Sequence, residues 1–479
     1  MLTRLEVNGF KNLLDMQVEF GPFTCIAGEN GAGKSNIFDA IQFLSLLADH
    51  SLMEAAQEVR STRDERTGDP RDLFWIGYTD GNPVMSFSAE MIVPEHVLDD
   101  FGQSAEATTT FLRYELRIGY EAPHGPERIG RLVLLSETLR HIKLGDAAAR
   151  LRFPHSVDRF RRNVVRGRRS GKAFISTELD GEDRTITIHQ DLQRGRHSGG
   201  RLRRASAVRA PTTVVSTITG ADDPTILAAR REMQSWRRLS LEPSALRAAD
   251  RYTDRRTMGP DGRHLAATLY RIAISKSPEN EKIHPEDIYA TVASRLASLT
   301  GLAVRHLRVD TDDTRELLTV QLREAGGIEL PARSLSEGTL RFLALCVLLE
   351  DSTVSGLLCM EEPENGLHPA NLPAMVEILQ DLAVDPKLAP GPDNPVRQVI
   401  VNTHSPGVVQ LVDPNDLLYA TVVAAQRSDG TTARELRLQP LQGTWRAVGI
   451  REPAATRSDL VAYLTTPPGA HFEFTLQSA

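Results

Sequence analysis

The stretch FTCIAGENGAGKSNIFDAIQFLSLLA, residues 23–48, decides the fold. Its first five residues are an unbroken apolar run, the pattern of a strand covered on both faces. The eight from Gly28 to Ser35 match G-x-x-x-x-G-K-[ST] at every fixed position. From Asn36 onward apolar residues recur at helical spacing. Strand, glycine loop and helix in that order read as a cradle for phosphate. Gly28, Gly31 and Gly33, with Asn30 between them, let backbone N–H groups curl around phosphate oxygens without a Cβ in the way. The helix aims its positive dipole end at the same anion. Lys34 is expected to neutralise the β- and γ-phosphates of ATP, and the Ser35 hydroxyl to ligate Mg²⁺.

Upstream of this stretch, LTRLEVNGF alternates as a half-buried strand does, and MQVEFG is a second strand candidate. This alternation lacks the charged tip and apolar block of a secretory signal, so a cytoplasmic protein is expected. The 479 residues are 41% apolar and 25% charged, ordinary globular usage with room for two or three domains. No stretch approaches the roughly 20 apolar residues of a membrane span. Cys25, Cys346 and Cys359 sit in apolar runs and read as reduced core thiols.

The final third repeats the α/β pattern. RFLALCVLLE reads as a helix, GLLCM as a buried strand, NLPAMVEILQDLA as a helix and RQVIVNT as another buried strand. Such alternation implies a mainly parallel sheet with helices on its faces. Between the two ends lie roughly 250 residues of other character. MSFSAEMIV, FLRYELRIGY and RLVLLSETL read as an antiparallel side lobe, and Pro224–Ile274 and His284–Leu299 as helical. From Arg140 to Arg209 there are 18 Lys and Arg against 7 Asp and Glu, a net of +11 within a chain of net −7. Such asymmetry is expected where one part meets a polyanion, although the end of the block, residues 191–211, reads as loop. The expected divisions are 1–135, 136–250 as a basic insertion, 251–420, and a C-terminal appendage over 421–479.

Three further motifs carry chemistry. GLLCM ends in Glu361 and Glu362, within EEPENGLHP. A strand of a parallel sheet delivers such carboxylates to the edge where ligands bind. Glu361 would support Mg²⁺ and Glu362 would polarise an attacking water, the alternative being a solvated acidic turn. RQVIVNT leads into His404, placed to donate to a γ-phosphate; a surface or satisfied core histidine is the bland alternative. In Arg333-Ser-Leu-Ser336-Glu-Gly338-Thr339, Ser336 resembles an N-cap and Gly338 lets backbone approach an anion. An ordinary capping box would explain Ser336 without requiring Gly338.

Together, LEVNGFKNL, GENGAGKSNIFDAIQFL, DGRHLAATL, ARSLSEGTLRFLAL, LLCMEEPENGLHP and VIVNTHSP resemble the ABC-type ATPase heads of the SMC, RecF and OLD superfamily, most of all the AAA_21-type ATPases of bacterial defence loci. The likeness covers both ends of the chain well and the basic middle poorly. It implies a P-loop NTPase of ABC/SMC-head type, with a mixed sheet flanked by helices, that pairs head-to-tail around two ATPs. By it, LSEGT looks like the ABC signature, so Ser336 and Gly338 would meet the γ-phosphate held by another protomer. Glu362 looks like the catalytic glutamate and His404 like the switch histidine. Glu361 stands where ABC proteins usually have aspartate, a marker of the OLD-like branch. The Q-loop glutamine is not placed; Gln42 lies in the helix after the phosphate loop. The residues support pairing independently, because a second anion cradle makes sense if it closes over another copy's nucleotide.

The resemblance implies a homodimer or higher even oligomer acting as the ATPase subunit of an antiphage system. About seventy residues follow the last motif, without a D-x-D, so an effector such as an HNH or TOPRIM nuclease would act in trans. A RecF-like repair ATPase binding DNA through Arg140–Arg209 is the alternative, since arginine contacts to phosphate give salt-dependent binding without sequence preference. An ATP-locked scaffold that silences its effector is compatible with the defence reading. A transporter subunit is disfavoured by the long separation of phosphate loop and signature.

Overall fold

Unbroken apolar runs form the centre of a six-stranded sheet. Its order is Arg237–Leu239, Gly356–Glu361, Arg397–Thr403, Phe23–Gly28, Leu417–Gln426 and Thr432–Pro440; the first five are parallel and the last is antiparallel. The computed structural model describes residues 1–59, 69–76, 83–123, 130–167, 172–180, 183–189, 203–206, 210–275, 284–426, 430, 432–448 and 453–465. Alternate residues of the central strands serve two different cores. Ile26, Leu357, Cys359 and Ile400 face one; Cys25, Ala27, Leu358, Met360, Val399 and Val401 face the other.

The first core encloses helix Ser35–Leu46, whose Ile37, Phe38 and Ile41 pack between this sheet and a second one. That second sheet has eight strands in the order Arg203–Ser206, Asp183–Ile188, Ile175–Asp180, Arg131–His141, Phe111–Glu121, Val84–Ile92, Leu2–Asn8 and Met16–Glu19, all antiparallel. Phe10, Phe43 and Phe87 join loop, helix and sheet, with ring centroids 5.4 to 5.8 Å apart. The second core packs helices Leu265–Ser275, Pro285–Thr300, Glu337–Glu350 and Leu372–Leu382 on the other face of the parallel sheet.

Several elements differ from the sequence expectation. The boundary expected at 135/136 falls inside strand Arg131–His141. Most of the expected loop at 191–211 lies outside the described residues, but Arg203–Ser206 is a strand paired with Asp183–Ile188. Leu317–Glu324 pairs with Val304–Asp312, Asp250–Arg251 and Glu329–Pro331 in a small antiparallel sheet that sequence reading passed over. The stretch expected as an appendage begins inside strand Leu417–Gln426, which lies directly beside the phosphate-loop strand. The hairpin Leu417–Pro440 is therefore part of the parallel sheet's own framework.

Within the basic block, six arginines are matched by nearby acids. Arg140 pairs with Glu115, Arg150 with Glu90, Arg152 with Glu19, Arg162 with Asp158, Arg166 with Glu95, and Arg203 with Asp223. Arg168, Arg169 and residues 190–202 lie outside the described residues. Cys25, Cys346 and Cys359 are buried free thiols, and burial pushes Cys346 up to about 12. Among the described residues no helix is long and apolar enough to cross a membrane.

Candidate nucleotide site

Parallel register brings the motif residues to one edge. Glu361 lies beside Asn402, Thr403 beside Ala27, and Gly28 beside Ala420. Strand Phe23–Gly28 then passes through the loop into helix Ser35–Leu46, as the 23–48 pattern predicts. Glu29, Asn30 and Gly31 are exposed at the crest of the loop. Gly31 and Gly33 have φ of 77° and 93°, a region where a Cβ is strained. A Cβ on Gly33 would lie 2.1 Å from Asn12 Nδ2, and one on Gly28 2.5 Å from the Ala420 carbonyl oxygen. Asn12 supports the loop from outside: its Nδ2 donates to Ala32 O at 3.1 Å and its Oδ1 accepts from Asn36 at 2.6 Å. That brace was not singled out from sequence, although Asn12 lies within the motif LEVNGFKNL.

Lys34 is 5% exposed and donates to the carbonyl oxygens of Gly28 at 2.6 Å and Glu29 at 2.8 Å. Burial holds its ammonium below the ordinary lysine value, while Glu362, Glu364, Glu361 and Glu29 act in the opposite sense. Four carboxylates thus act on one lysine, and an arriving polyphosphate needs more positive charge than Lys34 supplies. Ser35 and Glu361 offer hard oxygen donors of the kind magnesium takes.

Glu362 sits just past its strand at φ 44°, left-handed for a non-glycine residue. Its N–H donates to Asn402 O at 3.0 Å and to Asn402 Oδ1 at 3.1 Å, holding that conformation. Its carboxylate takes His404 Nδ1 at 2.8 Å on one oxygen and Asn365 Nδ2 at 2.6 Å on the other. His404 thus has its Nδ1 engaged by Glu362. Glu364 is 7% exposed and accepts from Thr403 Oγ1, and burial pushes its carboxyl above the ordinary range.

Two neighbours of the site were not found from sequence. Tyr463, on helix Arg457–Thr465, donates to the His404 carbonyl at 2.7 Å and stacks edge-on with Tyr419 at 5.7 Å. The turn after strand Arg237–Leu239 places Ser240, Leu241 and Glu242 around a cavity of about 180 Å³ shared with Glu361, Glu362 and Asn365. Nothing local in either segment signals the edge; the tyrosine is far from the motifs in sequence.

Ser336 and Gly338 stand apart from this cluster. Ser336 is exposed and caps helix Glu337–Glu350, its Oγ accepting from Thr339 N at 3.2 Å. Gly338 abuts Leu367, where an added Cβ would meet Cδ2 at 3.1 Å. Three residues further along the helix, Arg341 donates to the Asn365 carbonyl, linking this helix to the loop after Glu362. A separate group, Asp250, Asp254 and His264, is occupied with its own backbone: Asp250 accepts from Ala267 N at 2.9 Å and Asp254 from Arg251 N at 2.7 Å.

A phosphate loop feeding a mainly parallel sheet, packed against an antiparallel sheet through the loop's own helix, defines a P-loop ATPase head of the SMC type. The AAA_21 family profile, described as "AAA domain, putative AbiEii toxin, Type IV TA system", matches residues 131–410, and the chain belongs to that family, within the SMC/RecF superfamily of ATPases. The "RecF/RecN/SMC N terminal domain" profile matches residues 1–63. ATPases of this kind use ATP with a divalent metal.

The chain is similar to the DNA replication and repair protein RecF of Parabacteroides distasonis, 38% identical over 65 residues, which is 13% of this chain and 18% of that protein. RecF of Acaryochloris marina is 32% identical over 101 residues, 19% of this chain and 27% of that protein. The DNA repair protein RecN of Xylella fastidiosa (strain Temecula1) is 45% identical over 60 residues, 12% of this chain and 11% of that one. The chain thus spans about a quarter or less of these curated relatives. Among solved structures, an SMC head bound to the C-winged helix domain of ScpA aligns over 92% of this chain and 98% of that one, at TM-score 0.46 and 15% identity. The SMC head domain from Thermotoga maritima aligns over 90% and 97%, at TM-score 0.35 and 13% identity.

Proposed function

We propose that this chain is a Mg²⁺-dependent ATPase that dimerises head-to-tail around ATP and regulates an effector, a nuclease in trans, within an antiphage defence system. One observation carries the pairing: Ser336 caps an exposed helix start, while Gly28 to Ser35 already form a complete cradle elsewhere. A second anion site with no triphosphate of its own suits the nucleotide of a sister molecule. In that arrangement Gly28, Asn30, Gly31, Gly33, Lys34 and Ser35 hold the triphosphate, and Ser336 and Gly338 of the twin cap it. Ser35 and Glu361 would hold the magnesium, which supplies charge neutralisation among the acids around Lys34. Glu362, oriented by His404 and Asn365, accepts the proton of the attacking water. His404 Nε2 faces the γ-phosphate. No nuclease activity is assigned to this chain itself.

Sedimentation velocity with ATP and Mg²⁺ tests the pairing. Glu362→Gln should bind ATP and accumulate as a dimer; Lys34→Ala should fail to bind ATP. Ser336→Arg should bind ATP and stay monomeric. A Glu362→Gln protein that saturates with ATP yet remains monomeric overturns the reading. Purification with the products of neighbouring genes, with and without ATP, tests the effector. The RecF matches favour a DNA-repair role as the second reading, but ion pairs already engage Arg140, Arg150, Arg152 and Arg166 of the basic block.

A further inference from the structure

Glu361 is one methylene longer than aspartate, and the structure gives that reach a partner. Arg238 lies beside Cys359 in the parallel register, on the strand at the edge of the sheet. Its guanidinium spans two carboxylates, with Nη1 3.1 Å from Asp39 Oδ1 and Nη2 2.9 Å from Glu361 Oε1. Asp39 is fully buried one turn along the helix from Ser35, and its other oxygen takes Lys11 Nζ at 2.7 Å. Glu361 Oε1 is buried and meets Arg238 as an ion pair without accepting a hydrogen bond from it, while the side chain as a whole keeps 30% exposure. The helix that carries Ser35 and the strand that carries Glu361 are therefore joined through one planar cation.

We infer that Arg238 is a positioning residue for the divalent cation: by tying Asp39 to Glu361 it sets the spacing between the Ser35 hydroxyl and the Glu361 carboxylate. This rests on the reading of those two groups as metal donors. A guanidinium can bridge two carboxylates from fixed directions, whereas the point charge of a lysine holds one at a time. The departure from aspartate at position 361 then has a physical reason. A shorter side chain would have to give up either Arg238 or the open edge.

The test uses the full chain as wild type, Arg238→Lys and Arg238→Met, titrated with a fluorescent ATP analogue in EDTA and across a Mg²⁺ series. Mn²⁺ binding by electron paramagnetic resonance gives a second readout independent of turnover. Arg238→Met should raise the Mg²⁺ needed for half-saturation about tenfold, as loss of a partner to a metal ligand does, with Arg238→Lys between it and wild type. Affinity in EDTA should stay within about twofold. In a Glu361→Asp background, where the shorter side chain cannot serve Arg238 and the open edge together, Arg238→Lys should add little. Should Arg238→Met not fold, Arg238→Lys alone decides. An unchanged or lowered metal requirement, or equal losses with and without metal, overturns the inference. If the wild type binds the analogue under neither condition, the nucleotide reading itself falls instead.

Discussion

Glu137 should make this protein less stable as pH rises through neutrality. Its carboxylate is fully buried between strand Arg131–His141 and the turn at Val214. It accepts from Val214 N at 2.6 Å, Val215 N at 2.9 Å and Tyr114 Oη at 3.1 Å. Burial nevertheless dominates these three donors and pushes its pKa from 4.5 up to about 7. Between those values the folded chain holds a proton that the unfolded chain has released. The stabilising contribution is therefore fully present below pH 4.5 and is lost as pH climbs through 7. Applying the linkage relation between pH 5 and 8 gives a loss of about 2 to 3 kcal/mol. Urea unfolding of wild type and Glu137→Gln at pH 5, 6.5 and 8 reads the effect. The amide sets a constant offset, because one of its ends faces a backbone donor, but it does not titrate. The difference between the two proteins should shift by about 2 to 3 kcal/mol in favour of the variant as pH rises. A difference that stays flat within about 0.5 kcal/mol would refute the claim that this carboxylate is desolvated.

Gly33→Ala should weaken ATP binding by at least about thirtyfold without unfolding the chain, since φ of 93° and the clash with Asn12 together cost about 2 kcal/mol or more. Wild-type affinity in a nucleotide titration would show that the loop yields. Tyr463→Phe removes the donor to the His404 carbonyl and should lower ATP turnover by up to about fivefold, the worth of one net hydrogen bond, with nucleotide affinity unchanged. Equal turnover would make Tyr463 a packing residue only. Replacing Arg161, Arg162, Arg168 and Arg169 by Glu should weaken DNA binding most at low salt, where phosphate contacts dominate. Unchanged binding there removes the basic block as a DNA site.

Local pattern was enough for the parts whose physics is local. The run FTCIA, the glycine loop and the helical spacing after Asn36 each depend on neighbours within a few residues, and strand Phe23–Gly28 and helix Ser35–Leu46 follow them. GLLCM and the Val399–Val401 centre of RQVIVNT are apolar on both faces because both faces are covered, so their burial was legible too. Val304–Asp312 was harder to see: its buried positions are few and a register shift breaks the alternation near Val304.

What only the tertiary structure decided is which distant residues meet. Leu417–Gln426 pairs with the strand that leads into the phosphate loop, so closely that Gly28 leaves no room for a Cβ against Ala420, a relation between segments almost four hundred residues apart. The same holds for Arg238 reaching Glu361, for Tyr463 reaching His404, and for the acids that meet the basic block. Charge and hydrogen bonding act through space, so composition announced the arginines but not their partners. Sequence by itself determined that a phosphate loop, an acidic strand end and a histidine exist in this chain; register across the sheet decided that they share an edge.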